Sequence, residues 1–262
     1  MPDTPLAVAV ICAVALVASG LTFFSGFGLG TLLLPAFALY FPVERAVALT
    51  AVVHFLNGLF KLLLVGRAAN RDVLVRFGGP AVLASAAGAA VLVWLTGLGA
   101  TVRYELFDRE LAVTPVKVVV GLLLLAFAVI DLVPRLRDLT FPRRHLPYGG
   151  LLSGFFGGLS GMQGALRSAF LSRVGLSKES FVGTGVAIAV LIDVARLAIY
   201  SGAIFGVASM SDLPLLAAAV LAAFVGSVLG NRYLKKLTRR GVQRFVAVTL
   251  FAVAIALIAG VL

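Results

Sequence analysis

The sequence predicts an all-α polytopic membrane protein made of two inverted repeats, each a glycine-broken re-entrant hairpin followed by three transmembrane helices. Three observations lead there. The apolar composition runs along nearly the whole chain, the chain matches itself at an offset of 135 residues, and the basic loops change place between the matching halves.

Of the 262 residues, 61% are hydrophobic and 13% charged, with a mean hydropathy of +1.10. A soluble domain is nearer half apolar and about a quarter charged, so the solvent here is lipid. Apolar runs recur near the roughly 20 residues that span a bilayer as helix. The longest polar stretch, "PRLRDLTFPRRHLPYGG", is a basic, proline-punctuated linker, too short for a soluble domain. The net charge of +11 falls mostly in short loops, as it does where membrane proteins mark their cytoplasmic side, so no nucleic-acid partner is expected. The single Cys12 leaves no disulfide framework and no cysteine metal cluster. The run "LAVAVICAVALVASG" is preceded by Asp3 rather than a basic residue, and further membrane segments follow, so it reads as a retained segment.

The repeat aligns "SGFGLGTLLLPAF" (25–37) with "SGMQGALRSAFLS" (160–172), Glu44 with Glu179, and Lys61 with Arg196. Residues 1–133 form the first repeat, 134–148 a basic cytoplasmic linker and 149–262 the second repeat, all within one membrane domain. After its first long helix, half one carries Arg67, Arg71 and Arg76, where half two carries Asp212. After the next helix, half one has the acidic "RYELFDRE" and half two has Arg232, Lys235, Lys236, Arg239, Arg240 and Arg244. Eight plain spans cannot put these basic loops on one side. If each glycine-broken segment (about 6–41 and 147–176) enters and leaves by the same face, each half crosses three times and the halves are inverted. There are then eight helical segments, counting each hairpin once. Every basic loop becomes cytoplasmic, and the acidic loop, Asp212 and both termini become external. Broken helices meeting near the midplane between inverted repeats recur in secondary transporters.

Few polar side chains lie deep in the apolar runs. His54, Asn57 and Lys61 fall at i, i+3 and i+7, one face of a helix, and Asp193, Arg196 and Tyr200 repeat that spacing in half two. Asp193 and Arg196 can pair, which lowers the cost of burying both. The hairpin tips carry Ser25, Gly26, Gly28, Gly30 and Thr31 in half one, and Ser160, Gly161, Gln163, Gly164 and Arg167 in half two. A glycine-rich tip opening a helix exposes backbone N–H groups at the positive end of the helix dipole, an anion site needing no side chain. Lys61, Arg167 and Arg196 against Asp193 leave two positive charges in excess, so the expected ligand is an anion, bound by these sixteen residues. The duller alternatives are Arg167 and Lys61 snorkelling to the cytoplasmic face and His54 and Asn57 serving as interhelical glue. "GFGLG" lacks the P-loop lysine, and no HExxH, CxxC or GxSxG occurs, so no enzyme class, cofactor or metal is indicated.

At the two tips the sequence resembles the TauE/SafE family of sulfite exporters and toluene-sulfonate uptake permeases. The glycine-rich stretch and Leu/Pro pair of "SGFGLGTLLLPAF", with their repeat "GGLSGMQGALRSAF", carry the likeness. So do "HFLNGLFKLLLVGR" and "FVGTGVAIAVLIDVARLAIYSGA", and it covers essentially the whole chain. The resemblance implies a multi-pass carrier in a bacterial inner membrane for sulfite, sulfonates, sulfoacetate or thiosulfate. The second repeat departs from the family pattern in having Met162, Gln163 and Phe170 where three glycines and a proline are usual. The expected function is alternating-access transport at a midplane site. A coupling proton or sodium ion, the bilayer and a second copy of the chain are the expected partners, with His54 as the proton carrier. The alternatives are an anion channel and a membrane enzyme acting on lipid phosphate, for which His54 and distant Asp193 are the one acid–base set.

Overall fold

The computed structural model describes residues 4–21, 28–99, 102–106, 109–137, 139–203, 212–233 and 239–262. Half one opens with α1 (Pro5–Leu21), capped by Thr4, whose hydroxyl accepts from the Ala7 N–H. After the break comes the short α2 (Leu29–Ala38), then α3 (Val43–Val65) and a 3-10 turn. The span Arg71–Gly97 is one helical rod in three parts: α4 (Arg71–Val73), a π-turn at Leu74–Gly78, and α5 (Gly79–Gly97). Asn70 caps its start by accepting from the Val73 N–H. The acidic loop expected around Tyr104–Glu110 instead includes an antiparallel hairpin of β1 (Val102–Leu106) and β2 (Arg109–Val113). Tyr104 ties it to the Ala259 carbonyl. Thr114 as cap and Pro115 at the first position then start α6 (Pro115–Leu132).

Half two follows the short α7 (Pro134–Arg137) and repeats the order. It comprises α8 (Leu146–Ser160), α9 (Gly164–Leu171), α10 (Lys178–Ala203), α11 (Asp212–Tyr233) and α12 (Arg239–Ile258). At 1.5 Å per residue, α2 and α9 rise about 15 and about 12 Å, and their partners α1 and α8 about 25 and about 22 Å. All four fall short of the roughly 30 Å hydrocarbon thickness. Among the described residues, five helices are long and apolar enough to cross a membrane, and the chain is an all-α polytopic membrane protein.

The halves interlock by exchange. α1 packs on α11 and α8 packs on α5, so the leading arm of each half lies against the second long helix of the other, while α3 packs on α10 and α6 on α12. Backbones touch where α8 meets α5: Gly150, Gly154 and Gly158, one turn apart, lie on the main chain of Phe77, Ala81 and Ser85, and a Cβ at any of them would overlap a carbonyl oxygen. Gly226 and Gly230 of α11 sit the same way on Leu16 and Gly20 of α1. Such small-residue seams substitute close dispersion contact for the hydrophobic drive that lipid removes. The interior is apolar, with Ile11, Leu33, Phe37, Leu49, Leu92 and Leu124 fully buried, while Leu63, Leu83, Trp94 and Leu221 face outward as a lipid-exposed surface requires.

Candidate functional site

The two broken segments meet. Gly28, at φ 117°, sits in the left-handed region open to glycine at little cost, and turns the chain into α2. Gly161, at φ 81°, ends α8, and Gln163 immediately precedes α9. Gly30 and Gly161 lie so close that a Cβ on Gly30 would come within 3.2 Å of the Gly161 carbonyl oxygen and 3.6 Å of the His54 ring. A Cβ on Gly161 would stand 2.7 Å from Arg196 Nη1.

Between the tips lies a pocket of about 20 Å³, measured as space for the centre of a water molecule. That is room for about one water. Gly28, Gly30 and Thr31 line it from α2 and its cap, and His54 from α3. Gly161, Met162, Gln163, Gly164, Ala165 and Arg167 line it from the second tip, and Phe127 from α6. Both short helices therefore begin at this pocket, and each brings first-turn N–H groups with no partner inside the helix and the positive end of its dipole. Thr31 Oγ1 is buried there and has no hydrogen-bond partner among the described residues.

A chain of polar side chains runs from the pocket into α10. Arg167, 4% exposed, donates from Nη1 to Gln163 Oε1 at 2.9 Å. Gln163 Nε2 donates to Asp193 Oδ1 at 3.2 Å, and that oxygen also takes Arg196 Nε at 2.9 Å. The other oxygen, Oδ2, lies 2.6 Å from His54 Nδ1. Arg196 and Asp193 are wholly buried, as is Tyr200, whose hydroxyl donates to the Gly158 carbonyl. The backbone under this chain is fixed too, because Ser153 Oγ donates to the Gln163 carbonyl at 2.9 Å. Arg167 and Arg196 against Asp193 leave one positive charge in excess here with His54 neutral.

Of the remaining candidates, those that are described do not line the pocket. Asn57 and Lys61 turn away from His54 toward α1 and α11. Asn57 Oδ1 lies 3.2 Å from Ser19 Oγ and 2.8 Å from Ser227 Oγ, and Lys61 Nζ donates to the Ser19 carbonyl at 3.5 Å. The face drawn through His54, Asn57 and Lys61 is thus split between two clusters, and neither Asn57 nor Lys61 lines the pocket. Ser160 also stands off it, its hydroxyl bonded to the Phe156 carbonyl within α8. Ser25 and Gly26 lie outside the described residues. Sequence reasoning does not reach Ser153, Ser19, Ser227 or Phe127, and it marks Met162 only as a departure from the family pattern. A serine in a glycine-rich arm hints at Ser153, but nothing in the local pattern marks Phe127.

No curated protein and no solved structure matches the chain. The family model described as sulfite exporter TauE/SafE matches residues 11–257. Pocket, broken helices and apolar exterior thus stand in a chain that belongs to the TauE/SafE family of sulfite-exporter-type membrane transporters.

Proposed function

We propose that the protein carries small sulfur-containing anions, of the sulfite, sulfonate or thiosulfate type, across a bacterial inner membrane by alternating access around the pocket between α2 and α9. One observation carries this: two helix N-termini and the Arg167 guanidinium converge on a single buried pocket whose surroundings hold an excess of positive charge. Backbone N–H groups and the Thr31 hydroxyl hydrogen-bond the oxyanion, Arg167 gives it a charged, two-pronged contact, and Asp193 holds Arg196 in place behind it. A pocket with room for about one water admits no oxyanion, so the anion enters as the tips part. No step breaks a bond in the substrate, and the protein is not an enzyme.

The exchange of leading arms between halves, α1 on α11 and α8 on α5, supports two repeats related by an in-plane two-fold axis. Positive-inside loops then place the linker in the cytoplasm and both termini outside. Counterflow tests the reading. Proteoliposomes preloaded with unlabelled sulfite, thiosulfate or a sulfonate should transiently concentrate the labelled form of at least one of them. Flux without counterflow would make the protein a channel, and no flux of any of the three would remove the substrate class.

A further inference from the structure

We infer that His54 and Asp193 form a proton site, linked through Gln163 to the anion-binding Arg167, so that the anion is carried together with a proton. This rests on the transport reading above and adds to it the coupling ion and the residues that hold it.

The geometry is specific. His54 reaches the pocket from α3 and gives Nδ1 to Asp193 Oδ2 at 2.6 Å across a separation of 139 residues. Its side chain is 16% exposed, while that of Asp193 is sealed. The carboxylate thus fixes one ring nitrogen, and the ring's second nitrogen is left to gain and lose a proton. Gln163 bonds both partners of the coupling: its amide nitrogen donates to Asp193 and its amide oxygen accepts from Arg167. An anion that draws Arg167 toward itself therefore disturbs the amide that also holds the His54 counter-ion.

The charges around His54 fix the direction of the linkage. Asp193 and Arg196 face it from α10 and Arg167 from α9. The described part of α2 carries no charged or titratable residue, and α6 presents Phe127, with Asp131 one turn further on. Asp212 of α11 is engaged by Arg45, and Lys61, two turns along α3, leans on Ser19. With His54 neutral, the Arg167–Arg196–Asp193 set carries one net positive charge; protonated, it carries two. An anion in the pocket offsets that second charge, so anion and proton each raise the affinity for the other, by equal factors.

The test compares wild type with His54→Gln in proteoliposomes holding a trapped pH dye, with sulfite, thiosulfate and methanesulfonate as probes. Sulfite itself exchanges protons with bisulfite, so its signal is read per anion transported, and methanesulfonate, which does not titrate in this range, carries the decisive comparison. The expected result is proton movement accompanying anion flux in wild type, anion accumulation driven by an imposed pH gradient, and loss of both proton effects in His54→Gln. Anion flux in wild type without proton movement would overturn the inference and leave the transport reading standing. Proton movement undiminished in His54→Gln would overturn it too, whereas absence of any anion flux would remove both. Should His54→Gln not fold, wild type in weakly buffered detergent decides: thiosulfate binding should take up protons, and binding without uptake contradicts the proposal.

Discussion

Asp193 is the residue on which most of the site depends. It is wholly buried and holds Arg196, Gln163 and His54 at once. Removing one partner of a buried ion pair costs about 3–5 kcal/mol, because the other charge is left without compensation. Asp193→Ala should therefore lower the melting temperature in detergent markedly, with Arg196 stranded, while His54→Gln stays close to wild type. Equal melting temperatures would mean that Arg196 finds another acceptor. Half of this was legible in the sequence. The i, i+3 spacing announces the Asp193–Arg196 pair, because helix geometry alone brings such residues together. The His54 contact depends on how α3 crosses α10, which no local spacing encodes. For the same reason Asn57 and Lys61, on the helical face of His54 by count, are claimed by Ser19 and Ser227 from neighbouring helices.

Among the elements, the two glycine-broken arms do different jobs with the same residue. Gly28 and Gly161 supply positive φ where a helix must stop or start at the pocket. Gly150, Gly154 and Gly158 supply absence of bulk along the α8–α5 seam. Gly158→Leu should fail to give a folded, monodisperse protein, since its Cβ would overlap the Ser85 backbone. Gly79→Ala, at an exposed position of α5 with no atom beyond its chain neighbours and own helix backbone within 4 Å, should fold and melt close to wild type. The gain in helix propensity is opposed by Pro80, which disfavours helical backbone at a preceding residue with a Cβ. Size-exclusion profiles and thermal melts separate the two outcomes. A third substitution, Gly161→Ala, should fold less stably and lose transport, because it strains the turn and pushes on Arg196 Nη1. The tips were readable as breaks because glycine clusters interrupt otherwise continuous apolar runs. The seam was equally present, as glycines four apart, but a helix-packing stripe and a loop-forming cluster use the same letter, and only the position of α5 distinguishes them. The β1–β2 hairpin is not legible in the sequence because its charged residues mark it as solvent-exposed without saying whether its backbone pairs.

For the molecule as a whole, composition is decisive because lipid permits so few folds: backbone groups must be satisfied internally, so a chain this apolar is helical throughout its spans. The proposed inverted arrangement makes a separate prediction about sidedness. In a Cys12→Ser background, Arg144→Cys in the linker and Glu105→Cys in the β-hairpin, both exposed positions, should react with an impermeant thiol reagent from opposite sides, Arg144→Cys from the cytoplasm and Glu105→Cys from outside. Labelling of both from one side would mean that the spans are counted wrongly. The central claim, though, is that an anion is recognised where the two tips meet, and Arg167 is the charged side chain lining that pocket. The most direct measurement is the flux of labelled sulfite, thiosulfate and a sulfonate into proteoliposomes containing wild type or Arg167→Ala, with both proteins first shown to be folded and equally reconstituted. The account predicts uptake of at least one anion by wild type and its loss, by at least about tenfold, in the variant, the order expected when a charge-assisted contact of about 1.5–3 kcal/mol is removed. Undiminished flux in a folded Arg167→Ala protein would contradict it and place substrate recognition elsewhere in the chain.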